Sequence, residues 1–171
     1  ARRAGIPGYV VSRKDYDTNQ AMTAALVDKL SGLDIDLVVL AGFMVIFTRE
    51  MVDAYPNAIL NVHPALIPSF CGKGYYGLHV HERALEYGVK VSGATVHFVS
   101  EECDGGPIVL QKAVAVEEND TPETLQRRIM EQAEWVILPR AVSLFCQGRL
   151  KVEGRTVRIL KPLNLSKECL Q

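Results

Sequence analysis

Apolar residues along this chain fall into two patterns, short unbroken runs and runs spaced at three and four. Leu37-Val38-Val39-Leu40-Ala41 is unbroken, and Ala58-Ile59-Leu60-Asn61-Val62 is interrupted only by Asn61. Each predicts a strand buried on both faces of a parallel sheet. Residues 8–11 read as a further short strand ahead of them. Between these strands, Met22, Ala25, Leu26, Lys29 and Leu30 follow a helical spacing, with Asp17 or Thr18 as N-cap and Gly32 as the stop. Thr48 starts a short helix that Pro56-Asn57 breaks. This alternation predicts an α/β fold: a mostly parallel twisted sheet with flanking helices and right-handed crossovers.

Residues 64–80 carry Pro64, Pro68, Gly72, Gly74 and Gly77 and read as loop. Residues 82–87 form a short helix closed by Gly88. Residues 92–99 and 107–116 are rich in β formers, and pair as a hairpin or lie as neighbours. Asp120-Thr121-Pro122-Glu123 is a helix start, with an N-cap, Pro in the first turn and an acid to complete a capping box. Leu125, Ile129, Ala133 and Val136 then predict the core stripe, and Pro139 a kink. Residues 150–152 and 156–159 form a C-terminal β-hairpin around Glu153-Gly154, followed by a loose tail over 160–171.

The 171 residues are enough for one domain with its own core, and 48% hydrophobic against 23% charged is a globular mix. The 19 basic and 20 acidic residues leave a formal net charge of −1, which argues against nucleic acid as partner and for a small molecule. No apolar run approaches membrane-spanning length, and the first residues lack a signal peptide's pattern. A cytoplasmic location follows as an expectation. The four cysteines form no CxxC and read as free thiols.

Asn61-Val62-His63-Pro64 is the segment richest in chemistry. Residues i and i+2 of a strand share a face, and Pro64 holds His63 extended, so Asn61 and His63 project together at the strand's carboxyl end. Open α/β sheets place ligands there. An amide beside an imidazole suits a developing oxyanion and a proton transfer. The plainer alternative is a strand-end Asn with a surface His. Asp104, in Cys103-Asp104-Gly105-Gly106, is by itself turn chemistry; beside His63 it would hold the ring as imidazolium. Gly72-Lys73-Gly74-Tyr75-Tyr76-Gly77 matches G-x-G-x-x-G, but no strand leads into it, so it reads as a mobile glycine-rich loop and not a dinucleotide site. His79 and His81 have no structural-zinc spacing, and a helix cap explains His81. His97 reads as a satisfied core histidine and Glu134 as a solvated helix charge. No metal is expected.

Taken in order, Ala41-Gly42-Phe43-Met44, Asn61 to Pro68, Gly77-Leu78-His79-Val80-His81, Gly93 to Val99 and Asp104-Gly105-Gly106-Pro107-Ile108 resemble the phosphoribosylglycinamide formyltransferase family over nearly the whole chain. The resemblance implies a formyltransferase-type Rossmann-like fold. It implies formyl transfer from 10-formyltetrahydrofolate, a cosubstrate, to the amino group of glycinamide ribonucleotide. Asn61, His63 and Asp104 fall on that family's catalytic residues. Met44, Val45, Ile46, Phe47, Asn61, Glu101, Glu102 and Asp104 fall on its folate site, with Asn19 as a weaker member. Gly42, Pro64 and Glu134 fall on its ribonucleotide site. Val45 and Asn19 stand where members carry Arg, and Trp135 where many carry His.

The family also begins with a strand and a phosphate-binding loop that have no counterpart here. A unit of roughly 30 residues is therefore expected to be missing from a single formyltransferase domain over 1–171. The alternatives are formyltetrahydrofolate hydrolase and a catalytically inactive folate-binding fragment. Methionyl-tRNA formyltransferase would need more basic surface, and a zinc hydrolase would need ligands. The expected assembly is a monomer or homodimer.

Overall fold

The computed structural model describes residues 1–162; the tail expected over 160–171 lies mostly outside them. Short 3-10 turns at Arg2–Ala4 and Arg13–Asp15 precede the first helix. In chain order the main elements are α1 (Asn19–Ser31), β1 (Val38–Leu40), α2 (Arg49–Ala54), β2 (Ile59–His63), α3 (His79–Tyr87), β3 (Val91–Phe98), β4 (Ile108–Ala115), α4 (Pro122–Ile129), α5 (Trp135–Cys146), β5 (Leu150–Glu153) and β6 (Thr156–Ile159).

One six-stranded sheet runs in the order β1-β2-β3-β4-β6-β5. β1 pairs parallel to β2, and β4 to β6. The β2–β3, β3–β4 and β5–β6 pairs are antiparallel. The α/β architecture and the closing hairpin are as expected, but the sheet is mixed rather than mostly parallel. β3 and β4 are joined by a short connection, which favours antiparallel neighbours.

The centre of the sheet is the best buried part. β3 reads buried at every position after Val91. Leu60, Val96 and Phe98 pack with Leu125, Ile129 and Ala133 in one apolar cluster. Burial of this kind stabilises by about 25 cal/mol per Å² of apolar surface.

Two strand readings and one helix boundary change. Residues 8–11 form no strand, and Val10 is exposed. β1 lies at the sheet edge, and Val39 is 40% exposed, so its apolar run is not buried on both faces among the described residues. α3 begins at His79, earlier than its acidic first turn suggested, and ends at Gly88 in the left-handed region.

The long C-terminal helix holds a further correction. Thr121 caps α4, and Thr124, not Glu123, closes the capping box. Between α4 and α5 a π turn spans Met130–Glu134. It inserts one extra residue into the helical count. The buried stripe therefore steps by four, through Leu125, Ile129, Ala133, Ile137 and Ala141, and Val136 is left 46% exposed. The irregularity lies one turn ahead of Pro139, where that residue's missing N–H frees a carbonyl.

Candidate active site

β2 and β3 set the first wall of a cavity of about 310 Å³ at the carboxyl end of β2. Their register places Asn61 opposite His97 and His63 opposite Thr95. Thr95 anchors the turn that follows: its hydroxyl donates to the Ala65 carbonyl at 2.7 Å and accepts from the Ile67 N–H at 3.1 Å. The chain after Pro64 is thereby pinned back onto β3.

His97 is buried, and its Nδ1 lies 2.9 Å from the Phe98 carbonyl. A carbonyl only accepts, so Nδ1 carries a hydrogen. In the neutral ring Nε2 accepts from the Asn61 amide at 3.2 Å; in the protonated ring it turns its own N–H toward Asp104. One amide N–H of Asn61 is used in this way and the second remains available.

Loops build the opposite wall. Residues 100–106 carry Asp104, whose backbone sits at φ 54, in the left-handed region. Its carboxylate reaches back to the strands, with Oδ2 3.6 Å from His63 Nδ1 and Oδ1 3.6 Å from His97 Nε2. The loop after β2 adds two main-chain contacts. The Phe70 carbonyl lies 2.8 Å from His63 Nε2, and the Gly72 N–H donates to Asp104 Oδ2 at 2.9 Å. Phe70 and Gly72 also adopt positive φ, 50 and 88.

These contacts assign the protons of His63. Nε2 must donate to Phe70, so Nδ1, facing the carboxylate, is the nitrogen that gains or loses a proton. Burial pushes the His63 imidazole below its ordinary value; Asp104 and the Phe70 carbonyl pull it up, and His97 opposes them. Asp104 thus acts on the ring in the expected direction, upward, but burial is the larger influence on His63. Burial also pushes Asp104 up, but contact with His97, the charge of His63 and the Gly72 N–H together carry it below the usual carboxylate value.

Behind the site lies His81. It is not a cap: it sits on the third residue of α3, fully buried, with both ring nitrogens lacking a protein partner. Burial, then the neighbouring His63, lowers it to about 4.

A protein of this architecture with this set of groups has relatives. Residues 1–142 match the family model described as formyl transferase. The chain belongs to the formyl transferase family. It is 43% identical over 152 residues to the chloroplastic phosphoribosylglycinamide formyltransferase of Arabidopsis thaliana, covering 88% of this chain and 52% of that one. To the phosphoribosylglycinamide formyltransferase of Haemophilus influenzae it is 42% identical over 153 residues, covering 90% of this chain and 69% of that one. The chain thus spans about half to two thirds of these relatives. The crystal structure of glycinamide ribonucleotide transformylase 1 from Symbiobacterium toebii superposes with a TM-score of 0.86 at 47% identity, over 94% of this chain and 73% of that one.

Within this formyl transferase, the cavity gathers most of the residues singled out by sequence. Gly42, Met44, Val45, Ile46, Phe47, Asn61, His63, Pro64, Glu102 and Asp104 all line it. Three others lie off its lining. Asn19 opens α1 and accepts from the Arg13 guanidinium at 2.7 Å. Glu101 pairs with Arg49 at 3.4 Å. Glu134 closes the π turn; it is half-buried rather than solvated, and burial raises its carboxyl. The glycine-rich loop lines the cavity too, and a helix follows it, but no strand leads into it.

Sequence reasoning missed three contributors. His97 read as core, which it is, but it also touches Asn61 and Asp104. Its place opposite Asn61 follows only from the antiparallel register. The Phe70 carbonyl and the Gly72 N–H are main-chain groups and leave no trace in residue type. Among the described residues, no three His, Cys, Asp or Glu side chains gather as a metal site, and no helix is long and apolar enough to cross a membrane.

Proposed function

We propose that this cavity transfers a formyl group from 10-formyltetrahydrofolate to the amino group of glycinamide ribonucleotide. The observation that carries the reading is the convergence of Asn61, His63 and Asp104, from a strand end and a separate loop, on one cavity. The cavity suits a flat, partly polar donor. Of its lining residues, Phe43, Val45, Phe47 and Val99 offer apolar surface, and Ser100, Glu102 and Asp104 add polar groups. The bound folate supplies the formyl carbon that the amine attacks.

The protein's own groups act on charge and protons. The free N–H of Asn61 donates to the oxygen that becomes negative as the amine adds. His63, protonated at Nδ1 against Asp104, places positive charge beside that oxygen. Binding of an anionic or oxyanionic centre favours this protonation, reversing the effect of burial. The Asp104 carboxylate takes up the proton lost by the amine while His63 keeps its charge, and the pair returns that proton toward the departing folate nitrogen. Met44 to Phe47, Glu102 and Asp104 would hold the folate, with Glu101 and Asn19 at its periphery; Gly42, Pro64 and Glu134 would face the ribonucleotide.

The test is steady-state formation of formylglycinamide ribonucleotide by the purified protein, dialysed against a chelator. We expect amine-dependent turnover, and His63→Ala should lower kcat by about 10²- to 10⁴-fold, the scale of general acid–base catalysis. Near-normal turnover in that variant overturns the assignment. Formate release that needs no amine acceptor would instead identify hydrolysis of the folate.

A further inference from the structure

The two loops that meet at Asp104 also bring two cysteines to the same carboxylate. Cys71 directly precedes Gly72, whose N–H donates to Asp104 Oδ2 at 2.9 Å. Cys103 directly precedes Asp104, and its Sγ lies 3.8 Å from that same oxygen. Two such short spans through one atom keep Cys103 Sγ within about 7 Å of the peptide nitrogen that follows Cys71, so modest loop movement brings the pair to bonding geometry. Both thiols are half-buried and open to small reagents, whereas Cys146 is exposed on α5, away from the site.

We propose that Cys71 and Cys103 are a redox-sensitive dithiol, and that a two-electron thiol oxidant closes them to a disulfide that ties the glycine-rich loop to the Asp104 loop across the cavity mouth. With an azo oxidant such as diamide, one thiolate adds to a nitrogen of the N=N bond. The second thiolate attacks the first sulfur, the S–S bond forms and the S–N bond breaks. The hydrazine leaves with both electrons and two protons, and dithiothreitol reverses the change. The cross-link would hold in one position the two loops that fix His63 and Asp104, and deny the cavity the opening that substrate entry needs. Burial and the Asp104 charge push both thiols up, so closure should be slow at neutral pH and quicken in alkali.

The effect on turnover rests on the proposed function; the thiol chemistry does not. The test uses a protein carrying Cys146→Ser and Cys169→Ser, treated with diamide at pH 8 and mapped by mass without reduction. We expect a Cys71–Cys103 linked peptide, a loss of about 2 Da and turnover reduced at least about tenfold, recovered with dithiothreitol. Adding Cys103→Ser should abolish the linked peptide. Absence of that peptide overturns the dithiol. Its presence with unchanged turnover overturns the closure of the cavity. If the untreated protein forms no formylglycinamide ribonucleotide, the functional reading fails while the peptide map still decides the thiol chemistry.

Discussion

On one wall of the cavity Asn61, His63 and His97 project from paired strands; on the other, Asp104 and Gly72, with Phe70 behind them, belong to loops whose backbones run through positive φ. The strand wall takes its geometry from a ladder in which every neighbour constrains the next. The loop wall takes its geometry from three hydrogen-bonding or ionic contacts to that ladder, Phe70 to His63 and Asp104 to His63 and His97. In the proposed reaction the Asn61 donor therefore sits on the stiff side and the Asp104 carboxylate on the adjustable side. A site divided in this way can open for substrates without losing the alignment of its oxyanion donor.

The sharpest way to break this division is to damage the strand wall. Gly93 of β3 has φ 156, and a Cβ there would lie 2.1 Å from the Lys112 carbonyl and 2.9 Å from Leu66. Gly93→Ala should cost more than about 4 kcal/mol of stability, read as loss of folded protein in denaturant melts. A stable variant would show that the ladder yields more readily than its packing implies.

Next comes the loop wall's charge. Asp104→Asn should lower kcat by about 10²-fold or more. It should also move the His63 imidazole still further down in an NMR titration, because the group that pulls it up is gone. An unchanged His63 titration would mean that the 3.6 Å pair is not electrostatically coupled.

His81 separates folding from chemistry. Its native value of about 4 lies below its ordinary 6.5, so on acidification the unfolded chain takes up the proton first. Stability that is complete above pH 6.5 should decline between pH 6.5 and 4, by up to about 3 kcal/mol for this group. His63 is shifted in the same direction and adds to the decline. His81→Leu also removes two unpartnered buried nitrogens, so it should flatten the acid slope with little loss of stability at pH 7. A slope unchanged in urea melts across that range would place the acid sensitivity elsewhere. The smallest effect belongs to Gly72→Ala. No atom stands within 4 Å of a Cβ there, but φ 88 disfavours it by about 1–2 kcal/mol. We expect a fall in kcat of no more than about tenfold, with the fold intact by circular dichroism.

β2 was legible because its apolar run, interrupted only by Asn61, ends in Pro at Asn61-Val62-His63-Pro64, and β3 because residues 92–99 are rich in β formers. The pairing of Asn61 with His63 on one face followed from the two-residue period alone. Strand direction was less legible, since it depends on the connection and not on the run: β2 and β3 look alike in composition yet run opposite ways. Burial of β1 misled because an apolar strand reads the same at an edge as at a centre. Asp104 read as a turn and is one. Only the left-handed backbone at that turn, and the loop's return toward β2, aim its carboxylate at His63. His81 was misread because a helix start and a buried first turn share the same residues.

The π turn at Met130–Glu134 has a consequence for how the chain tolerates change in length. Each residue of an α-helix turns the axis by about 100°, so removing one residue elsewhere in this helix would swing the downstream apolar face out of the core. Within the π turn the count already runs one residue long. A single deletion there would restore ordinary α-helix and leave Ile137, Ala141 and Leu144 facing the same neighbours. The segment leading up to Trp135 is thus the place where this helix can shorten by one residue with its packing intact.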